Sequence, residues 1–318
     1  MGAVVALWVL ATWCAEVAWG GFTVADYPVV LVVLGPLYGS AALLIREVAR
    51  RRGAGWPGVV LLAAAFGLVQ AGLVDQSLFD REALADTEFA QANELAAATV
   101  VPGLGFSAEQ LFDFVGGHVW LSVCAPIALV EACVARERRR VPWLGRRGIV
   151  VSVVLYLGAS ALIWSDSGRS ALPVQFGFVL PMAGGLAAAA MVPREKRAER
   201  SGGSPLLVGG VVLAAHAVSW FFGSSWLGVG LRVVTLVVVV VLVLRWVGDG
   251  RHVVAAWGAG VLAAAVAAFL SPPYAAAEPW LMLTSDIVGA VIAVGVVGLA
   301  YRRESVGASL YCARHGDS

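Results

Sequence analysis

YGSAALLIREVARRRGAGWPGVVLLAAAFGLVQAGLVDQSLF, Tyr38 to Phe79, decides the fold. An apolar run closes in Arg46, Arg50, Arg51 and Arg52, a short turn carries Trp56, and a second apolar run reaches Asp75 and Gln76. A bilayer core needs about 20 apolar residues at a rise of about 1.5 Å each. Two runs of that kind, joined by a basic turn, read as a pair of transmembrane helices with the turn on the cytoplasmic side.

The same pattern extends in both directions. Of 318 residues, 60% are apolar and 14% charged, and the net charge is +1. A water-soluble domain could not bury so many apolar faces, and nothing in the charge balance points to nucleic acid. Apolar windows fall at roughly 3–20, 27–46, 56–75, 110–135, 148–165, 174–192, 206–223, 227–247, 252–270 and 281–301. Basic residues follow every second window: Arg136 to Arg147 after the fourth, Arg194 to Arg200 after the sixth, Arg245 and Arg251 after the eighth, Arg302 and Arg303 after the tenth. The loops between carry only Arg81 and Arg169. The expectation is an all-α polytopic transmembrane bundle of about ten spans, with both termini cytoplasmic. Residues 1–303 form one transmembrane domain and 304–318 a cytoplasmic tail. The expected location is the plasma membrane, with anionic lipid against the Arg-rich loops.

The amino terminus has no basic leader and holds Glu16, so it reads as a retained first span. Cys14, Cys124, Cys133 and Cys312 are scattered, without the spacing of a disulfide framework or zinc ribbon. Pro36, Pro126 and Pro181 lie inside spans and can kink them. Gly116-Gly117 and the series Gly289, Ala290, Ala293 allow close helix contact. The VVTLVVVVVLVL stretch of the eighth span, with Thr235 its only polar residue, reads as lipid-facing.

The outer loop 76–109 is acidic, its composition is that of a surface helix or lid, and it is a candidate partner surface. Ser107-x-x-Gln110 reads as a capping box opening the fourth span.

Polar residues within the apolar windows gather in the outer third of the bilayer: Glu16, Gln70, Asp75, Asp113, His118, His216, Arg232 and Asp286. Intramembrane ionisable groups are costly, and by default mark paired or functional sites. Structural roles are open to each. Arg232 and Asp286 can be counter-ions, His118 can bond Ser122 one turn on, and Glu131 can pair with Arg136. Taken jointly, they form a candidate solute-binding cluster.

Phe114-x-x-x-His118 resembles the F-x-x-x-H motif of the CAAX-protease and bacteriocin-processing family of intramembrane proteases, with His216 in place to open its third motif. The resemblance implies a water-activating glutamate where this chain has Gln70-Ala71-x-x-x-Asp75 against the family's E-E-x-x-x-R. Gln70 cannot act as a carboxylate base, which implies a non-catalytic relative. Zinc enters only under this resemblance, held by His118 and His216; otherwise no cofactor is expected. The Tyr38–Leu68 segment also resembles a set of bacterial multi-span proteins of unassigned activity. The expected role is solute binding or transport, in a chain similar to drug/metabolite-type carriers of ten spans. A proteolytic relative and a membrane scaffold or sensor are the alternatives.

Overall fold

The computed structural model describes residues 1–80, 82, 84–167, 171–192, 203–246 and 248–315, with side chains through residue 306. Arg81, Arg169, Arg194, Lys196, Arg197 and Arg200 lie outside the described residues, as does the side chain of Cys312. Regular structure among the described residues is helical, and the one strand-like contact is an isolated bridge between Val100 and Ser107.

The helices are α1 (Gly2–Glu16), α2 (Tyr27–Val33), α3 (Gly35–Arg52), α4 (Gly55–Val74), α5 (Ala90–Ala96) and α6 (Ala108–Ala132). They continue with α7 (Arg146–Asp166), α8 (Pro173–Ala190), α9 (Pro205–Ser219), α10 (Trp226–Trp246), α11 (Gly250–Ala268) and α12 (Pro279–His315). Seven of them, α4, α6, α7, α8, α10, α11 and the 279–306 part of α12, are long and apolar enough to cross a membrane. The second window is a broken pair: α2 and α3 meet at 57°. Pro36 stands in the first turn of α3, where its missing N–H costs nothing, and it starts the new direction there. The first and seventh windows shorten to the fifteen-residue helices α1 and α9. α12 runs unbroken to His315, so the stretch expected as a tail from residue 304 continues the helix.

The bundle has an inner set and a periphery. α1, α3, α4 and α6 enclose one core around Leu7, Leu37, Val59, Phe66 and Ile127. α1, α6, α11 and α12 enclose a second around Trp13, Cys14, Leu129, Val261 and Ala293. α8 closes the acidic end of α4 through Val179 and Ala183. By contrast α7 and α10 are only 11% buried, with Val233, Val234, Leu236 and Val237 of α10 facing outward. An apolar helix with that exposure needs a hydrocarbon solvent, which is what a membrane supplies.

Close approach is bought at glycines other than those the sequence suggested. Gly116, Gly117 and Gly289 have open space where a Cβ would sit. The tight contacts are at Gly35 and Gly39, which form a groove for Trp8, and at Gly260, where a Cβ would lie 1.6 Å from the Trp120 ring nitrogen. The indole of Trp120 can therefore lie on α11 and donate to the Trp257 carbonyl at 3.2 Å.

At one end of the bundle the basic residues fold inward. Arg46 is 0% exposed; its Nε donates to Glu131 at 2.9 Å, and its guanidinium also reaches Glu47 and the carbonyls of Arg139 and Val141. The Trp143 ring caps it at 3.3 Å. Arg50 shares Glu131, so this carboxylate pairs with α3 one turn apart, not with Arg136 as expected. Arg139 pairs with Glu304, tying the basic turn to α12. The arginines that mark sidedness in the sequence are thus also the lock of that end.

Candidate functional site

The opposite, acidic end holds irregular helix. Apolar sequence favours unbroken α-helix inside a bilayer, yet α4 ends in a π-turn over Gln70–Val74, and α6 carries π-turns over Leu111–Val115 and His118–Cys124. Such wide turns inside α-helices concentrate at functional sites. The last lies directly before Pro126, which cannot donate to the carbonyl one turn back, so the widened turn absorbs the missing bond. After the α4 π-turn, Gln76 takes a left-handed backbone with φ +58° and turns the chain out of the helix.

Gly67 lets α6 come within van der Waals range of α4: a Cβ there would sit 3.1 Å from the His118 Cβ. This supplies the close packing at His118 that Gly116-Gly117 suggested. The His118 ring lies 5.8 Å from Tyr38 and 5.4 Å from Phe66, and its Nδ1 meets the Ser122 hydroxyl at 3.2 Å. Tyr38 in turn donates its hydroxyl to Glu16, which is 8% exposed. Glu16 also lies within electrostatic range of Asp75. The Asp75 carboxylate accepts from Gln70 Nε2 at 3.2 Å and from the Ser77 backbone N–H at 2.9 Å. Five polar side chains from α1, α3, α6 and the end of α4 therefore form one group, with Glu16, Tyr38 and Gln70 buried and Asp75 and His118 half-buried.

The loop side chain of Tyr274 covers it. Burial first, then the negative charges of Glu16 and Asp75, push its hydroxyl well above the usual tyrosine range, so it stays protonated. Tyr274 stands edge-on to Trp19, Phe22 and Phe89, and its backbone carbonyl accepts from the Glu88 N–H. Loop 76–109 thus contributes the short helix α5 and Phe89 to an aromatic cover over the acidic end. Ser107 caps α6 by accepting from the Gln110 N–H, while the Gln110 side chain turns to Asn93 rather than back to Ser107. Only half of the expected capping box forms.

The eight residues singled out in the sequence separate into groups. Glu16, Gln70, Asp75 and His118 belong to the cluster just described. Arg232 and Asp113 form another with Glu109: Arg232 donates to Glu109 at 2.9 Å and to Asp113 at 3.1 Å. The expected Arg232–Asp286 pair does not form; Asp286 lines a crevice of about 10 Å³ with Thr23 and Ser285, room for one water. His216 packs edge-on against Trp120 at 4.7 Å. His118 and Trp120 are two residues apart on α6 and so project to opposite sides, which directs the two imidazoles to different neighbours. Among the described residues, no three His, Cys, Asp or Glu side chains group as metal ligands would.

Tyr38, Tyr274 and Glu109 were not singled out in the sequence. A tyrosine near a span end is ordinary interfacial composition, and Glu109 sits in an acidic loop. Glu109 did carry one signal, since it falls in the first turn of the fourth span.

No family model, no curated protein and no solved structure matches the chain.

Proposed function

We propose that the chain is a ten-span protein of the plasma membrane, termini and Arg-rich turns on the cytoplasmic side, that binds a small solute at the acidic end for sensing or transport. One observation carries this reading. Five polar side chains, Glu16, Tyr38 and Gln70 buried and Asp75 and His118 half-buried, converge under an aromatic cover, and one of their acceptors, Gln70 Oε1, has no hydrogen-bond partner among the described residues. A purely structural polar cluster closes on itself, because an unmet buried acceptor costs about 1–3 kcal/mol. One that leaves an acceptor open is suited to a guest. Seven full-length apolar helices, the bent α2–α3 pair and the short α1 and α9 together support ten crossings. The hydrolytic alternative gains no support from geometry, since His118 and His216 take separate neighbours.

The test is thiol accessibility in whole cells. With the native cysteines replaced by alanine, a Gln70→Cys variant should react with a membrane-impermeant maleimide added outside, more slowly than a Glu94→Cys variant on exposed α5. Reaction only in inverted vesicles, or in neither preparation, would reject an outward-facing solute site.

A further inference from the structure

The acidic cluster lacks the charge that would balance it. Elsewhere in the molecule, buried carboxylates find arginine: Glu131 and Glu47 with Arg46, Glu109 with Arg232, Glu304 with Arg139. Glu16 and Asp75 break that pattern. Among the described residues neither has a Lys, Arg or His salt-bridge partner, although Glu16 is 8% exposed and the two lie within electrostatic range of each other. The groups that face them are Tyr38 from α3, Gln70 from α4, Ser77 just beyond it, His118 through Tyr38 from α6, and Tyr274 from the covering loop. None of these is a fixed cation. Glu16 is buried and Asp75 half-buried, and two carboxylates so placed hold their charge at far lower cost when a cation accompanies them.

A second observation supplies a further oxygen beside Asp75. Gln70 is 1% exposed; its amide nitrogen is spent on Asp75, and its carbonyl oxygen has no partner. The amide is thus anchored in the cluster with an open oxygen lone pair. We propose that Glu16, Asp75 and the Gln70 carbonyl form a binding site for a monovalent cation, either a proton or a Na⁺-sized ion. Every group offered is an oxygen, the donor type that hard cations select and soft transition metals do not. The ion occupies the solute site read above and rests on that reading. Its charge couples occupancy of the cluster to the cation gradient across the membrane.

The experiment is a thermal melt of the purified full-length chain in detergent, followed by intrinsic tryptophan fluorescence. At alkaline pH the midpoint should be higher in NaCl than in choline chloride of equal ionic strength. A shift of about 2 °C or more, growing with the logarithm of Na⁺ concentration, is the signature of an ion bound only by the folded state. If the proton is the ligand, Na⁺ and choline give equal midpoints and stability instead rises as pH falls, since the folded state then binds more protons than the unfolded one. The Glu16→Gln/Asp75→Asn double variant should lose either response, while Glu94→Gln on exposed α5 keeps it.

A wild-type midpoint indifferent to both cation and pH overturns the site without any variant having to fold. So does a double variant that responds as wild type does. The readout is independent of thiol labelling: accessibility without an ion response removes the cation and leaves the solute site. An ion response without accessibility from outside keeps the cation and removes the solute route.

Discussion

Arg46 shows how much one residue can carry in this chain. It is 0% exposed, pairs with Glu131 and Glu47, and is capped by Trp143. Removing one partner of a buried pair strands the other charge, at about 3–5 kcal/mol. Arg46→Ala should therefore lower the unfolding midpoint in detergent far more than Arg51→Ala, whose side chain is 43% exposed. Equal midpoints for the two variants would show the network to be ornamental. Asp249 gives the matching prediction outside the membrane segments. It caps α11 by accepting from the Arg251 and His252 N–H groups. Burial alone would raise its carboxyl, but the hydrogen bonds from His252 and Arg251 outweigh that and hold it below the ordinary carboxylate range. Its contribution is present above the ordinary carboxylate pKa and fades as pH falls through the lowered one. Asp249→Ala should cost about 1 kcal/mol at neutral pH, and the gap to wild type should narrow in strong acid. Gln70 is visible in the sequence because it is a lone amide inside an apolar run, about a turn and a half from the helix end. The Arg46–Glu131 pair is not, because its members are 85 residues apart and local spacing offers Arg136 instead.

Elements were legible by composition and poorly by length. Hydropathy places apolar segments but does not say where a helix stops, so α1 and α9 end well inside their windows. The break between α2 and α3 follows from Pro36, which the sequence marked as a kink. Contact was the least legible property. Glycine pairs in the sequence are equally compatible with a tight interface and with open lipid, and only packing partners decide. Gly260 is the sharpest case, since any side chain there collides with Trp120. Gly260→Ala should push that indole off the Trp257 carbonyl and away from His216, lowering the midpoint and changing tryptophan emission. Gly116→Ala, with open space around it, should leave both unchanged.

At the scale of the whole molecule, the two ends differ in kind. One is locked by arginine and carboxylate together; the other pairs Glu109 and Asp113 with Arg232 but leaves Glu16 and Asp75, beneath aromatic rings, with no salt-bridge partner among the described residues. Sidedness follows from the arginines in the ten-span reading, and it is checked by placing single cysteines in each kind of loop. Glu94→Cys should react with impermeant reagent outside intact cells, and Glu137→Cys only after the membrane is opened. The length of α9 has a consequence for the surrounding lipid. Fifteen residues reach about 22 Å, less than the roughly 30 Å of a typical hydrocarbon core, and Leu206, Leu207 and Val218 of α9 face outward. α1 is as short, but it packs one face, with Leu7, Ala11 and Cys14, into the bundle core. In the ten-span proposal α9 is a crossing, and on its flank the leaflets are expected to pinch inward to meet the helix ends. The protein should accordingly melt later in bilayers of short acyl chains than in long ones, and drift toward the thinner patches of a mixed membrane.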